Sequence, residues 1–362
     1  MKNILSYSLL ICLFYLLLWP VPINPVAWDS PNPPSMTGVY AKNDYLKNIE
    51  IFWENDGHNG PEDIAIHDGN LYAGYHDGLI MSSIGEFYNT NGRPLGMMFD
   101  DQNNLIVADA IKGLLSIDQT GVATTLTVKS DSDNIPLGFT DDLDIANDGK
   151  IYFSDASDKF GYGEDRIEVM EHTPNGRLLV YDPETKLTTT LLDNLYFANG
   201  VAVSPDNSFV LFNETFMYRI QKYWLTGEKA GTSEIIIENL PGFPDNISSN
   251  GKGTYWVALF TVRNDFIDQT ADKPFLRKLA LRLPEFSRDE CGQGGEELPH
   301  LVHRRQATTR SSGLCRCGFA QASRPQRMAS RTGCLVRRAP LSRRVQRTRL
   351  SCRRGRGEEC SV

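Results

Sequence analysis

Five short stretches of this chain place a carboxylate, an amide or a leucine just ahead of an alternating apolar triplet. In order along the chain these positions are Glu62, Leu95, Asp141, Asn199 and Asp245. The residues that follow them form a second column: Asp63, Gly96, Asp142, Gly200 and Asn246. Four of the five first positions offer a side-chain oxygen. If the chain brings them to one point, Glu62, Asp141 and Asp245 repel one another unless a cation neutralises them. A set of oxygen donors without His or Cys suits a hard divalent ion, and calcium accepts six to eight such ligands. The expected ligands are therefore Glu62, Asp141, Asn199, Asp245 and Asn246, with Ca2+ as cofactor. The plainer alternative is that Asp, Asn and Gly recur because they make good turns. That accounts for Asp68-Gly69 and Asp148-Gly149, but not for ligand types just before each triplet.

The elements around these positions share one grammar. A polar or small pair leads into an apolar strand, an Asn/Asp/Gly turn follows, and a second apolar strand returns. The returning strands read Leu71-Tyr72-Ala73, Leu105-Ile106-Val107, Ile151-Tyr152-Phe153, Phe209-Val210-Leu211 and Tyr255-Trp256-Val257. Alternation at period two around such turns predicts β-hairpins. The starts are spaced by 33, 46, 58 and 46 residues, which is the spacing of propeller blades. No single unit covers both of its faces, so the units must stack around an axis. Pseudo-rotation about that axis is what would gather the column. The expected fold is all-β, a six-bladed β-propeller whose last blade is missing or frameshifted, preceded by an N-terminal hydrophobic helix. A sixth repeat would begin near Cys291, where the ordinary composition has just ended.

The 362 residues carry a formal charge of −8, and 41% hydrophobic with 23% charged residues excludes collagen-like, disordered and wholly membrane-embedded classes. That total joins two unlike parts. Residues 287–362 hold 17 arginines, no lysine and six acids, a net of +11, while the first 286 residues carry −19. Six of the seven cysteines and a single aromatic, Phe319, lie in this tail. So few large apolar groups cannot offset the entropy of ordering. Residues 287–362 read as non-native, out-of-frame sequence, with a disordered basic tail as the alternative. Cys315-x-Cys317 lacks zinc-knuckle spacing, and no nucleic-acid partner is expected. Residues 1–28 form a membrane anchor or signal segment, because Ile4 to Trp19 is an apolar run ended by Pro20, Pro22 and Pro25. Lys2 is the one basic residue before Lys42, which sets the body, residues 29–286, on the non-cytoplasmic side of a single-pass membrane protein; secretion after cleavage is the alternative.

Other motifs carry less. His58, His67, His76 and His172 stand in polar contexts without metal-ligand spacing and are expected to be solvated loop residues. No Gly-x-Ser-x-Gly elbow or His-Glu-x-x-His is present. Asn213-Glu214-Thr215 and Asn246-Ile247-Ser248 match the glycosylation sequon, the second within the metal column.

Several ordered stretches resemble the strictosidine synthase-like family, within it the type with an N-terminal membrane anchor. They include Gly92-Arg93-Pro94-Leu95-Gly96, Val107-Ala108-Asp109, Ile151-Tyr152-Phe153-Ser154-Asp155, Gly176-Arg177-Leu178-Leu179, Asn199-Gly200-Val201-Ala202 and Gly242-Phe243-Pro244-Asp245-Asn246-Ile247. The likeness spans roughly residues 37 to 286 and implies a six-bladed propeller. More distantly the chain is similar to calcium-dependent paraoxonases and gluconolactonases, whose metal motifs match at Glu62, Asp141, Asn199 and Asp245-Asn246, with Asp141 standing where paraoxonases carry Asn. That resemblance implies a calcium-dependent hydrolase of a small-molecule ester or lactone. It also marks a departure: Leu95 stands where those enzymes carry the His proposed to activate water. Asp245 is then the expected catalytic residue. The alternatives are a non-catalytic, metal-stabilised propeller that binds a partner, and a Pictet–Spengler lyase of the strictosidine synthase type, whose acid lies in the last blade.

Overall fold

The computed structural model describes residues 2–43 and 58–283. The predicted sixth repeat near Cys291 and the tail 287–362 lie outside the described residues. Strands dominate, and they fall into five antiparallel sheets in chain order. The first sheet holds β1 (Ile64–His67), β2 (Asn70–Gly74), β3 (Leu79–Ser82) and β4 (Gly85–Asn89). The second holds β5 (Pro94–Phe99), β6 (Leu105–Asp109), β7 (Gly113–Ile117) and β8 (Ala123–Thr127). The third is β9 (Thr140–Ile145), β10 (Ile151–Asp155), β11 (Gly176–Asp182) and β12 (Leu187–Leu195). The fourth is β13 (Ala198–Val203), β14 (Phe209–Glu214), β15 (Arg219–Trp224) and β16 (Ser233–Ile237). In the fifth, the described residues supply two strands, β17 (Gly242–Ser249) and β18 (Tyr255–Val262).

Each predicted hairpin is the first pair of one sheet. In the first, Ile64 pairs Ala73 and His67 pairs Asn70 across a two-residue turn. Asp68 and Gly69 take φ of 47° and 76° there, the positive values that a tight hairpin turn requires and that Asp and Gly tolerate. Successive first strands pack side by side, β1 on β5, β5 on β9, β9 on β13 and β13 on β17. This is the propeller arrangement.

Period-two alternation explains the core. Leu105 and Val107 of β6 pack toward the first sheet with Ala65, Tyr72 and Ile80. Their neighbours Ile106 and Ala108 point the other way, to Leu143, Phe153 and Leu179 of the third sheet. Tyr152 and Leu178 in turn meet Val201, Val210 and Phe212 of the fourth sheet. Both faces of an inner sheet are therefore buried, and an apolar residue at every position is what such a strand needs.

Three features stand apart from the repeat. An α-helix, α1 (Lys2–Leu18), opens the chain and exposes Ile4, Leu9, Leu10, Ile11 and Phe14. Its 17 residues rise about 25 Å at 1.5 Å each, less than a bilayer core of roughly 30 Å. Among the described residues no helix is long and apolar enough to cross a membrane. The loop after β10 carries α2 (Asp165–Glu171), and the chain after β18 forms α3 (Asp265–Gln269) and α4 (Pro274–Leu281). These helices and residues 20–30 knit into one cap. The buried Arg277 of α4 donates to Met170 O at 3.1 Å, to Ala271 O at 3.2 Å and to Val26 O. Val26 N donates to Glu171 O at 3.0 Å and Trp28 N to Ala271 O at 3.0 Å. Arg282, just past α4, donates to Leu16 O and Trp19 O, holding the carbonyl end of α1 against the cap.

Candidate functional site

The first-column residues stand at the leading ends of β1, β5, β9, β13 and β17, and the register puts the trailing end of each second strand beside them. Pro94 pairs Asp109, Thr140 pairs Asp155 and Ala198 pairs Glu214. The loops bearing α2, α3 and α4 leave from these trailing ends, so the cap and the column share one end of the sheets.

The column residues meet there. Asn199 Nδ2 donates to Asp245 Oδ1 at 2.9 Å, across 46 residues of sequence. Burial pushes the Glu62 carboxyl up to about 8, and the charges of Asp245 and Asp63 add to it, against Arg93 and the Asn246 amide. Burial, then Glu62, Asp245 and Asp142, drive Asp141 well above the usual carboxylate range. Asp245 is raised by burial to about 6, with the Asn199 hydrogen bond acting against the rise. Three carboxylates thus repel across one space, and among the described residues the countercharge acting on both Glu62 and Asp141 is Arg93.

Unpaired polar atoms mark the same space. Glu62 Oε2, Asn199 Oδ1 and Asn246 Oδ1 are buried without a hydrogen-bond partner, while the Asn246 amide nitrogen stands close enough to Glu62 to act on its carboxyl. Such atoms are costly in a folded protein and ask for an explanation. Their chemistry, three oxygens beside mutually repelling carboxylates, fits a hard cation. The carboxylates alone do not make a site: among the described residues no three His, Cys, Asp or Glu side chains stand close enough to share a metal. The amide oxygens of Asn199 and Asn246 are the additional donors on hand.

The second column has a different task. Asp63 Oδ2 accepts from Met97 N at 2.9 Å and Asp142 Oδ2 from Val201 N at 2.8 Å, and two residues further along β9, outside the column, Asp144 Oδ2 accepts from Val203 N at 2.8 Å. Each staples the first strand of one sheet to the first strand of the next. Where the column holds glycine, backbones touch instead. A Cβ on Gly200 would overlap Asp245 O and Ile247 N, and one on Gly96 would come within 2.7 Å of Asp142 Cα. Of the second column only Asn246 is left with an unpaired amide oxygen.

A third column escaped the sequence reading. Asp109, Asp155 and Glu214 end the second strands, are fully buried, and receive the backbone of the loops that lead into the first strands. Asp109 Oδ1 accepts from Arg93 N at 2.9 Å, Asp155 Oδ1 from Phe139 N at 2.8 Å, and Glu214 Oε1 from Tyr196 N at 3.0 Å. Arg177 closes on Asp155 at 2.5 Å. The signal was present as a carboxylate ending each of Val107-Ala108-Asp109, Phe153-Ser154-Asp155 and Phe212-Asn213-Glu214.

Two expectations are corrected. His172 is not a solvated loop residue: it is 1% exposed, stacked on Trp28 at 4.1 Å between ring centroids. The cap closes over it. The sequon at Asn213 is inaccessible, since Asn213 is wholly buried in β14 and donates to Asp245 O. Of the other histidines, His58 bonds Asp77 at 2.8 Å, His67 stacks on Phe99, and His76 is exposed.

Residues 141–228 match strictosidine synthase and residues 38–82 match the N-terminal part of strictosidine synthase-like proteins. The adipocyte plasma membrane-associated protein of Rattus norvegicus is 37% identical over 292 residues, which is 74% of this chain and 77% of that protein. The chain belongs to the strictosidine synthase-like family. Strictosidine synthase-like protein 4 of Arabidopsis thaliana is 41% identical over 61% of this chain and 62% of its own length. Among solved structures, a gluconolactonase from Xanthomonas campestris is similar at 17% identity, over 56% of this chain and 71% of that one, with a TM-score of 0.45. The family stretches that match, from 38 to 82 and from 141 to 228, contain Glu62, Asp141 and Asn199 of this strictosidine synthase-like chain, and leave Asp245 and Asn246 to the geometry.

Proposed function

We propose that this strictosidine synthase-like protein is a membrane-anchored, six-bladed propeller that hydrolyses esters or lactones with the help of calcium. The observation that carries the reading is the convergence of unpaired buried oxygens on Glu62, Asn199 and Asn246 with the repelling carboxylates of Asp141 and Asp245. These five residues would hold the ion. Bound calcium supplies Lewis acidity toward a carbonyl oxygen and stabilises the charge that develops on it.

The chain's own residues do the rest. Asn199 fixes the Asp245 carboxylate by its 2.9 Å hydrogen bond, and Asn213 grips the Asp245 backbone carbonyl from β14. Asp245 is thereby presented from a rigid strand, the placement that keeps a reacting group in register. Leu95, buried at the leading end of β5, offers an apolar wall and no proton acceptor. The cap packs at the same end of the sheets, and where it displaces water it would strengthen the charge interactions beneath it. The apolar surface of α1 provides the attachment to lipid, and the name of the rat relative, plasma membrane-associated, agrees with that placement.

The test is hydrolysis of an aryl ester by the full chain in calcium and in chelator. Turnover that needs calcium and is lost in Asp245→Ala, with folding intact by circular dichroism, supports the reading. A second reading, a non-catalytic propeller stabilised by the metal and binding a partner, is favoured by Leu95. It predicts a calcium-dependent rise in Tm without turnover of any ester or lactone. A Pictet–Spengler lyase would need its acid from the expected sixth repeat, outside the described residues.

A further inference from the structure

A hydrolase of this design lacks a proton acceptor at Leu95, and the structure supplies another at the same mouth. We propose that His76 is the general base, held in its working tautomer by Tyr162 and set beside the column by Arg93 and Gly60. This rests on the hydrolase reading above.

His76 follows β2 and therefore leaves the first sheet at the end where Glu62 enters it. Its backbone N donates to Asn59 O at 3.0 Å, and its Nδ1 bonds the Tyr162 hydroxyl, which arrives from the loop ahead of α2. A partner at Nδ1 leaves Nε2 as the nitrogen with a free lone pair when Nδ1 carries the hydrogen. Tyr162 is itself fixed, its ring edge-on to Phe139 at 5.9 Å between centroids. The buried Arg93 guanidinium stands 5.7 Å from the centre of the Tyr162 ring, and its Nη1 donates to Gly60 O at 2.9 Å. Gly60 has φ +67°, and a Cβ there would overlap Nε2 and Cδ2 of His76. Only glycine fits that backbone so close to the imidazole.

Arg93 ties this cluster to the column. Its charge acts on Glu62 and Asp141, and equally on His76 and Tyr162. One guanidinium thus faces both sets of groups. Partial desolvation against Gly60 and Tyr162, and then Arg93, hold the half-covered His76 ring below its ordinary 6.5, with Asp77 opposing, so the ring is neutral and able to accept a proton at neutral pH. The charged and titratable groups around it are Arg93, Asp77 and Tyr162, and Glu62 acts on Tyr162 in turn.

The step balances without a further reactant. His76 Nε2 takes a proton from water as the water oxygen bonds to the substrate carbonyl carbon. The imidazolium returns that proton to the leaving oxygen as the acyl C–O bond breaks, giving a carboxylic acid and an alcohol. Arg93 and Tyr162 are positioning residues. His76 is exposed, so its replacement should leave the core untouched.

The experiment is the pH–rate profile of aryl-ester hydrolysis by the full chain with calcium, for wild type, His76→Gln and Tyr162→Phe. His76→Gln should lower kcat about 100-fold, leave KM within about twofold, and abolish the acid limb of the profile. Tyr162→Phe should lower kcat by about tenfold or less and shift that limb. Wild-type kcat and an unshifted limb in His76→Gln, while Asp245→Ala is inactive, would overturn the role of His76 and leave the hydrolase reading standing. No turnover by folded wild type would overturn both. If His76→Gln unfolds, Tyr162→Phe decides: an unshifted acid limb overturns the proposal.

Discussion

Asp141 and Asp142 are neighbours in sequence, both buried and both raised above the usual carboxylate range by burial first, yet their surroundings differ in kind. Asp142 accepts from Leu143 N and Val201 N, each at 2.8 Å. Among the described residues no hydrogen bond reaches the Asp141 carboxylate, and the one favourable influence on it is the charge of Arg93. The same split separates Glu62, with its orphaned Oε2, from Asp63, which accepts from Met97 N. On a strand, adjacent side chains point to opposite faces. One of each pair therefore looks toward the axis and its neighbour toward the next strand. The satisfied member assembles the ring; the unsatisfied member stores a cost that a ligand can relieve.

Opposite outcomes for the two residues would confirm that division. Asp142→Ala removes the acceptor of a buried backbone N–H and should cost about 3 kcal/mol, read as a lower midpoint in urea in calcium or in chelator alike. Asp141→Asn breaks no bond and removes one charge from a repelling group. In chelator it should unfold no earlier than wild type, and later by about 1 kcal/mol, while losing the rise in Tm that calcium gives wild type. Equal costs for the two substitutions would erase the distinction between the columns.

Gly200 sharpens it from the other side. At this second-column position no carboxylate staples the strands, because β13 and β17 meet backbone to backbone. Gly200→Ala would drive a methyl into Asp245 O and Ile247 N, which cannot swing away as a side chain would. A loss of about 2 kcal/mol is expected, together with weaker calcium binding, since Asp245 and Asn246 sit on the displaced strand. Gly161→Ala, whose Cβ would meet only Glu164 Oε2 at 3.9 Å and whose backbone, like that of Gly200, is outside the left-handed region, is the control for replacing a glycine without a backbone clash. Destabilisation of both variants to the same extent would mean that contact between the strands is not what Gly200 protects.

What could be read from the sequence was what repeats. The hairpins, their Asp68-Gly69 turn and the first column recur at blade spacing, so the sheets and the meeting of Asn199 with Asp245 followed from pattern. Asp109, Asp155 and Glu214 recur as well, but their role depends on which backbone N–H groups the loops bring to them, and loop paths have no period. The cap is less legible still. Trp28, His172 and Arg277 come from three unrelated segments and occur once each, so nothing in the local sequence says that His172 is covered. Sequons carry no information about burial, which is why Asn213 read as a modification site and folds as a strap on Asp245.

The smallest expected effect concerns the cap, where unpaired polar atoms occur away from the column. His172 Nδ1 and Nε2 and Glu168 Oε2 are buried without partners. If orphaned atoms always signalled a ligand, these would too. The cap offers a simpler account, since each group can stay neutral. Burial pushes Glu168 up to about 8 from its ordinary 4.5, against a 3.1 Å bond from Asn175. Burial, and then the charge of Arg277, lower His172 to about 3 from 6.5. The two respond to pH in opposite directions. With its folded value raised, Glu168 contributes stability that is whole below about 4.5 and is lost as pH rises through about 8. With its folded value depressed, His172 contributes stability that is whole above 6.5 and is lost as pH falls toward about 3. Urea midpoints should therefore fall less steeply as pH rises from about 4.5 to about 8 in Glu168→Gln than in wild type. In His172→Phe, which keeps an aromatic ring on Trp28, they should fall less steeply on the acid side. Over one pH unit within these windows each difference should be on the order of 1 kcal/mol, and calcium should leave both unchanged. If calcium instead moved them, the cap would be coupled to the column, and the orphaned atoms of the two regions would share one ligand rather than differ in purpose.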